Sequence, residues 1–150
     1  MDDAVRVIGV GNPDRGDDGV GPAVAARVAE VMSAADVMVS VAEPTHLIEA
    51  WNGAGSVVMI DAVVDGSPPG TVRVFDASAG ELPIDVGATS SHGMGVGAAV
   101  ALGRVLGRLP ERVMVVGVSV GRLDGSGLSD SVERAVPGAT HAVLEVMARA

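Results

Sequence analysis

The chain is 150 residues long, carries a formal net charge of −9 and contains no cysteine. Its length predicts a single domain spanning residues 1–150. The acidic balance argues against nucleic-acid binding, which needs clustered Lys and Arg against phosphate, and the lack of cysteine excludes disulfides, thiolate metal sites and Cys nucleophiles.

The sequence has no pattern that predicts membrane attachment or export. No apolar run reaches the length of a membrane span, and the acidic N-terminus leads directly into the first predicted strand, unlike a signal peptide. We therefore expect a soluble, cytoplasmic monomer with no membrane partner. With one Trp, one Phe and no Tyr, its core must be aliphatic.

The first predicted element is a buried strand, Val5–Val10, followed by a glycine-rich loop and the start of a helix. Such a loop usually binds phosphate through free backbone N–H groups and the helix dipole. Here Asp17 and Asp18 occupy the phosphate position and would repel it. A cation or a proton-bearing group is therefore a better ligand than a nucleotide. Either acid can cap the helix; we assign Asp17 to a structural role and leave Asp18 free.

The later elements alternate between strand and helix patterns. Residues 71–75 follow the third strand through a turn too short for a helical crossover, so we expect them to form an antiparallel edge strand. We expect Pro137-Gly138 to kink or split the last helix. The predicted elements are a helix from Val20 to about Met32, strands at 37–41, 57–60, 71–75 and 113–120, and helices at 46–51, 93–109 and from Ser129 to about Arg149.

This order of elements predicts an α/β fold: a three-layer α/β/α sandwich on a five-stranded, mostly parallel sheet with one antiparallel edge strand. Sites in such folds form outside the carboxyl ends of the strands. Asp18 follows the first strand, Asp61 ends the third, and His92 begins the helix after the edge strand. These three side chains are the candidates to converge at that edge.

Each candidate has a chemical reason to be functional. A bare carboxylate such as Asp61 after an apolar strand is costly unless it is paired, hydrogen-bonded or coordinated, although it could instead cap the following loop. At a helix N-terminus the dipole disfavours the imidazolium, so His92 tends to be neutral and able to ligate. Two carboxylates and an imidazole could bind Ni, Zn, Mn or Fe. We keep His46 as a peripheral group and expect His141 at the surface.

Two other kinds of site fit the sequence less well. A Ser-His-Asp triad would need Ser90 or Ser91, but both are too close to His92, and no Gly-x-Ser-x-Gly lies in a strand–helix context. A dinucleotide site is suggested by Gly9-x-Gly11, but the third glycine is misplaced and acids occupy the phosphate position.

Several short motifs together resemble the hydrogenase maturation endopeptidases, the proteases that finish the large subunit of nickel–iron hydrogenases. The resemblance covers nearly the whole chain. The motifs are Gly9-Val10-Gly11-Asn12 with Asp17-Asp18-Gly19-Val20-Gly21, Asp61-Ala62, Ser91-His92-Gly93-Met94-Gly95, Val116-Gly117-Val118 and Gly127-Leu128-Ser129.

The resemblance implies that Asp18, Asp61 and His92 contact nickel that is already inserted in the hydrogenase large-subunit precursor, so the protease owns no metal cofactor and needs no nucleotide. It implies that the enzyme removes a short C-terminal extension from that precursor, and that the fold is an α/β/α sandwich on a five-stranded sheet. Residues 42–46 depart from the Asp-Gly-Gly-Thr-like turn of many members, which leaves the particular hydrogenase open.

The mechanism follows from what the sequence lacks. Because no Ser or Cys nucleophile is apparent, our hypothesis is that the metal polarises the scissile carbonyl or activates water, while a site carboxylate accepts the proton. A non-catalytic nickel checkpoint or chaperone would use the same three ligands, so the sequence leaves that alternative open.

Overall fold

The computed structural model of the chain describes residues 5–79, 95–121 and 123–149. Within these ranges none of the helices is long and apolar enough to cross a membrane. The elements are β1 (Val5–Val10), a 3-10 turn (Gly16–Gly19), α1 (Val20–Val31), β2 (Asp36–Ser40), α2 (Pro44–Trp51), β3 (Ser56–Val63), β4 (Val72–Asp76), α3 (Val96–Leu106), β5 (Arg112–Ser119) and α4 (Asp130–Ala148).

The strands form one five-stranded sheet in the order β2-β1-β3-β5-β4. β1 pairs in parallel with β2 and β3, β3 pairs in parallel with β5, and β4 runs antiparallel to β5. The predicted antiparallel edge strand is therefore confirmed. In the sheet β4 lies beside β5. It does not lie beside β3, although a short connection links β3 to β4 in the sequence. That connection is too short for a helical crossover, so the chain returns in the opposite direction.

Helices cover both faces of the sheet, which confirms the predicted α/β/α layers. On one face α1 and α4 pack through valines against Ile60 and Val116. On the other face α2 and α3 pack against Met59 and Val115. Each layer is aliphatic, and the single Trp51 fills the second one, where its indole N–H donates to the carbonyl of Arg108 at 2.8 Å.

The third strand is longer than the sequence predicted. The expectation that it ends at Asp61 is wrong, because β3 continues to Val63. Asp61 keeps its place in the ladder opposite Gly117 of β5, and Val63 lies opposite Ser119. The Asp61 side chain projects from one face of the sheet while its backbone stays paired with β5. The polar side chain therefore does not end the strand.

Two helix predictions are also corrected. Neither Asp17 nor Asp18 caps α1, whose N-cap residue is Gly19 and has no side-chain cap. Instead, the 3-10 turn Gly16–Gly19 runs directly into the first turn of α1. We expected Pro137-Gly138 to kink or split the last helix; the split is wrong, since α4 is continuous from Asp130 to Ala148, and the kink stays a prediction. Pro137 and Gly138 are exposed, so water can satisfy the carbonyl that the proline leaves without a donor.

The direction of α3 matters for the candidate site. The Arg104 guanidinium near the end of α3 donates to the carbonyl of Ala77 at 3.0 Å, and the Ala77 amide donates to Val113 near the start of β5. The C-terminal end of α3 therefore lies at the amino edge of the parallel strands. Its N-terminal end, at Val96, points to the carboxyl edge.

Candidate active site

The loop between β1 and α1 turns sharply at Gly11. This residue has a φ of +139°, and a Cβ there would lie 2.1 Å from the carbonyl oxygen of Asp18. Only glycine allows this approach. The Asn12 amide donates to Oδ2 of Asp18 at 2.9 Å, a contact that the sequence did not predict. The loop therefore holds the Asp18 carboxylate beside the end of β1.

A second glycine brings this loop against two strands at once. A Cβ on Gly21 would lie 2.3 Å from the carbonyl oxygen of Val10 and 2.5 Å from that of Ile60. The start of α1 is therefore in direct contact with both β1 and β3. Because Asp61 follows Ile60, this close approach brings Asp18 and Asp61 to the same edge of the sheet.

Asp61 is a buried carboxylate, 1% exposed, on the face of the sheet that α2 and α3 cover. Neither of its oxygens has a hydrogen-bond partner in the described part of the chain. Burial raises the pKa of Asp61 well above its ordinary value of 3.8, and the negative charge of Asp18 raises it further. The Ala62 amide favours the charged form, but with a smaller effect. Asp61 therefore favours a bound proton or a cation.

Asp17 has the structural role that the sequence analysis assigned to it, but not as a cap of α1. Its Oδ1 accepts the Ser129 amide at 2.6 Å and its Oδ2 accepts the Ser129 hydroxyl at 2.8 Å. Ser129 is the N-cap residue of α4, so Asp17 ties the loop after β1 to the start of the last helix. These residues are 112 positions apart, and no local pattern links them.

His92 lies outside the described residues, as do Ser90 and Ser91. The helix that follows it, α3, begins at the carboxyl edge that holds Asp18 and Asp61. That His92 joins them stays a prediction. Among the residues that the structure describes, no group of three or more His, Asp or Glu side chains could hold a metal ion, so the two carboxylates would need a further ligand.

His46 is at the surface, as is His141. Glu43 is the N-cap residue of α2, where its Oε1 accepts the His46 amide at 3.2 Å and lies 2.7 Å from Nδ1 of the His46 ring. The Thr45 hydroxyl donates to the same oxygen. These bonds, that of Thr45 first and that of the ring second, lower the pKa of Glu43 to about 2. Residues 42–46, which depart from the usual turn of the family, thus form a hydrogen-bonded N-cap of α2. The helix begins at Pro44, two residues earlier than predicted.

The two convergent carboxylates can do two kinds of chemistry. They can ligate a cation with open positions left for a substrate, and they can take up and return a proton. Both uses are consistent with a hydrolase. The same carboxylates argue against phosphate binding at this loop, because their negative charges would repel a phosphate group.

Comparison with known proteins identifies the family to which the chain belongs. The sequence model of the family described as hydrogenase maturation protease (HycI) matches residues 22–146. The chain belongs to this family. This maturation protease is therefore a peptidase, and the resemblance drawn from its motifs is confirmed. The matched range includes Asp61 and His92, whereas Asp18 precedes it.

Relatives of known sequence or structure cover almost all of this maturation protease. The hydrogenase expression/formation protein HupD of Thiocapsa roseopersicina is 29% identical over 159 residues, which span 99% of this chain and 69% of HupD. A hydrogenase 2 maturation peptidase from Thaumarchaeota archaeon SCGC_AB-539-E09 is 30% identical, with a TM-score of 0.66 over 96% of this chain and 97% of that one. The hydrogenase maturating endopeptidase HybD from E. coli, 21% identical, shares the fold with a TM-score of 0.76 over 97% of this chain and 93% of its own.

Proposed function

We propose that this maturation protease removes a C-terminal extension from the nickel-loaded precursor of a [NiFe] hydrogenase large subunit. Membership of the family supports the reaction class and a hydrogenase precursor as the substrate. The observation that carries the finer proposal is the buried Asp61 carboxylate. It has no hydrogen-bond partner in the described residues and faces the negative charge of Asp18.

In this proposal the nickel belongs to the substrate. Asp18, Asp61 and His92 contact it when the precursor docks, and the enzyme thereby acts on loaded precursors only. An unpaired buried carboxylate is costly in the free enzyme. A divalent cation delivered by the precursor would take the place of the proton on Asp61 and would relieve its repulsion with Asp18.

The cleavage itself requires water and a proton acceptor. The nickel would polarise the scissile carbonyl or activate water. The oxygen of that water attacks the carbonyl carbon and the C–N bond breaks. One of the two carboxylates accepts the proton of the water and returns it to the leaving amine. Each carboxylate ends the cycle in the protonation state in which it began.

Two described hydroxyls near the carboxyl edge, those of Ser119 and Ser129, support a reaction without a protein nucleophile. The Ser119 hydroxyl donates to Asp65 at 2.9 Å, and that of Ser129 donates to Asp17. Both are engaged by structural carboxylates and not by a histidine base. The chain also contains no cysteine, and the proposal therefore uses water as the nucleophile.

The test is co-expression with a nickel-loaded large-subunit precursor, followed by mass spectrometry of the precursor. We expect the wild type to remove a C-terminal peptide and Asp61→Asn to leave the precursor intact. Asp76→Asn is the matched control, because Asp76 is an exposed carboxylate at the amino edge that bonds Ser78. A precursor that the wild type binds but never shortens would contradict the proposal and favour the non-catalytic nickel checkpoint.

A further inference from the structure

The outer edge of β2 is an open strand edge. The Gly11 amide donates to the carbonyl of Ser40 at 3.0 Å, so the backbone groups of Ser40 point toward β1. In a strand, the N–H and C=O of alternate residues point to opposite sides. Those of Val37 and Val39 therefore point away from the sheet, and no partner for them lies in the described residues.

The side chains along this edge leave it unprotected. Val39 is 62% exposed and Val41 is 48% exposed. Proteins usually block an edge with lysine, proline, a bulge or an inward-pointing charge, and β2 has none of these between Val37 and Ser40. The opposite edge, β4, carries Arg73 within the strand and Asp76 at its end, whereas the one charged residue of β2, Asp36, lies at its start and pairs with Arg6 of β1.

The open edge leads directly to the candidate active site. Ser40, at the end of β2, is bonded to Gly11, and the next residue, Asn12, donates to the Asp18 carboxylate. An extended chain lying along β2 would thus leave the sheet at the loop that holds Asp18. The other edge strand, β4, does not lead to Asp18, because it lies at the far side of the sheet beyond β5.

We infer that an extended segment of the hydrogenase precursor binds as a sixth strand on the outer edge of β2. The inference rests on the proposed function, because the substrate of a protease is a polypeptide that must reach Asp18 and Asp61. Added strands gain affinity from main-chain hydrogen bonds and specificity from alternate side chains. Val37 and Val39 offer the main-chain hydrogen bonds, and the exposed Val39 side chain contributes to specificity.

Two substitutions separate strand pairing from other effects. Val39→Pro removes an outward N–H without breaking the ladder to β1, a position where edge strands accept proline. Val74→Pro is the matched control, because the carbonyl of Thr71 and the amide of Ala77 bond to β5 and the amide of Val74 therefore points outward on β4. We expect Val39→Pro to raise KM for the nickel-loaded precursor by about ten-fold or more with kcat retained. We expect Val74→Pro to leave both constants unchanged.

A chemical block repeats the test on protein that is already folded. The chain has no cysteine, so Val39→Cys and Val74→Cys can each be labelled at one position with a maleimide–polyethylene glycol. We expect the label to raise KM in the first variant only. An unchanged KM in labelled Val39→Cys would overturn the inference while wild-type cleavage upholds the proposed function. A wild type that does not cleave the precursor would overturn both.

A second copy of the chain is the other occupant that an open edge could take. Sedimentation velocity distinguishes the two. We expect the wild type and Val39→Pro to sediment alike as monomers. A wild-type dimer that Val39→Pro converts to monomer would assign the edge to self-association and overturn the inference.

Discussion

The negative charge of Asp18 acts on the buried carboxylate of Asp61 and adds to the effect of burial in raising its pKa. Asp18 lies in the 3-10 turn after β1 and Asp61 lies in β3, and Gly21 allows the start of α1 to approach both strands. The free enzyme thus maintains a carboxylate that is costly to ionise. Perturbed carboxyl groups of this kind are typical of functional sites, and in the proposed function the nickel of the substrate would offset the cost.

Asp61→Asn is expected to stabilise the folded protein at pH 8 by about 1–3 kcal/mol, because the buried Asp61 must either ionise without a partner or hold a proton far above its ordinary pKa of 3.8. Thermal or urea denaturation at pH 8 measures this. The control is Asp76→Asn, for which we expect a small loss, because the hydroxyl of Ser78 stabilises the Asp76 carboxylate and lowers its pKa. A destabilised Asp61→Asn at pH 8 would contradict the described environment of Asp61.

The stability of the wild type is expected to depend on pH through the same group. The pKa of Asp61 is higher in the folded protein than its ordinary value of 3.8, so the folded state binds the proton more tightly. The contribution is fully present below pH 3.8 and is lost as the pH rises through the raised pKa. Denaturation curves from pH 4 to 9 should show a decline that Asp61→Asn lacks. A parallel pH dependence in both proteins would be the contrary result.

The apolar runs of the chain predicted the fold well because they are buried on both faces of the sheet. The spacing of Val20, Val24 and Val28 predicted α1, and the short link before Val72 predicted the reversed edge strand. These features depend on residues close in sequence. Strand order does not, which is why the open edge of β2 became visible only in the structure.

The candidate site was predictable in part. The apolar context of Asp61 and the glycine-rich loop around Asp18 were local signals, and both point to the same edge. The end of β3 was misplaced because its last pairs depend on Gly117 to Ser119 of β5. The bond between Asp17 and Ser129 joins two distant loops, so no sequence pattern could reveal it.

Asp17→Ala is expected to lower the free energy of unfolding by about 2–3 kcal/mol, because it removes two bonds to a charged acceptor and leaves the Ser129 amide unpaired. Ser129→Ala should cost about 1 kcal/mol, since the amide bond remains. Urea denaturation midpoints with an unchanged slope give both values. Equal costs for the two variants would argue against the bond to the amide.

Gly21→Ala is expected to destabilise the protein by about 2 kcal/mol or more, because its Cβ would overlap the carbonyl oxygens of Val10 and Ile60. Gly138→Ala is the matched control. It lies inside α4 with no atom within 4 Å of a new Cβ, so we expect a gain of about 0.5–1 kcal/mol. Urea denaturation of both variants should therefore move the midpoint in opposite directions, and a shift in the same direction would contradict the close approach of α1 to the sheet.

The most direct test of the central claim is a cleavage assay on purified precursor, prepared with and without nickel and followed by mass spectrometry. We expect the wild type to shorten the nickel-loaded precursor only, and we expect Asp18→Asn and His92→Ala to slow that cleavage by at least about 100-fold. Equal cleavage of both precursors, or normal rates in Asp18→Asn and His92→Ala, would contradict the assignment of these residues to the nickel of the substrate.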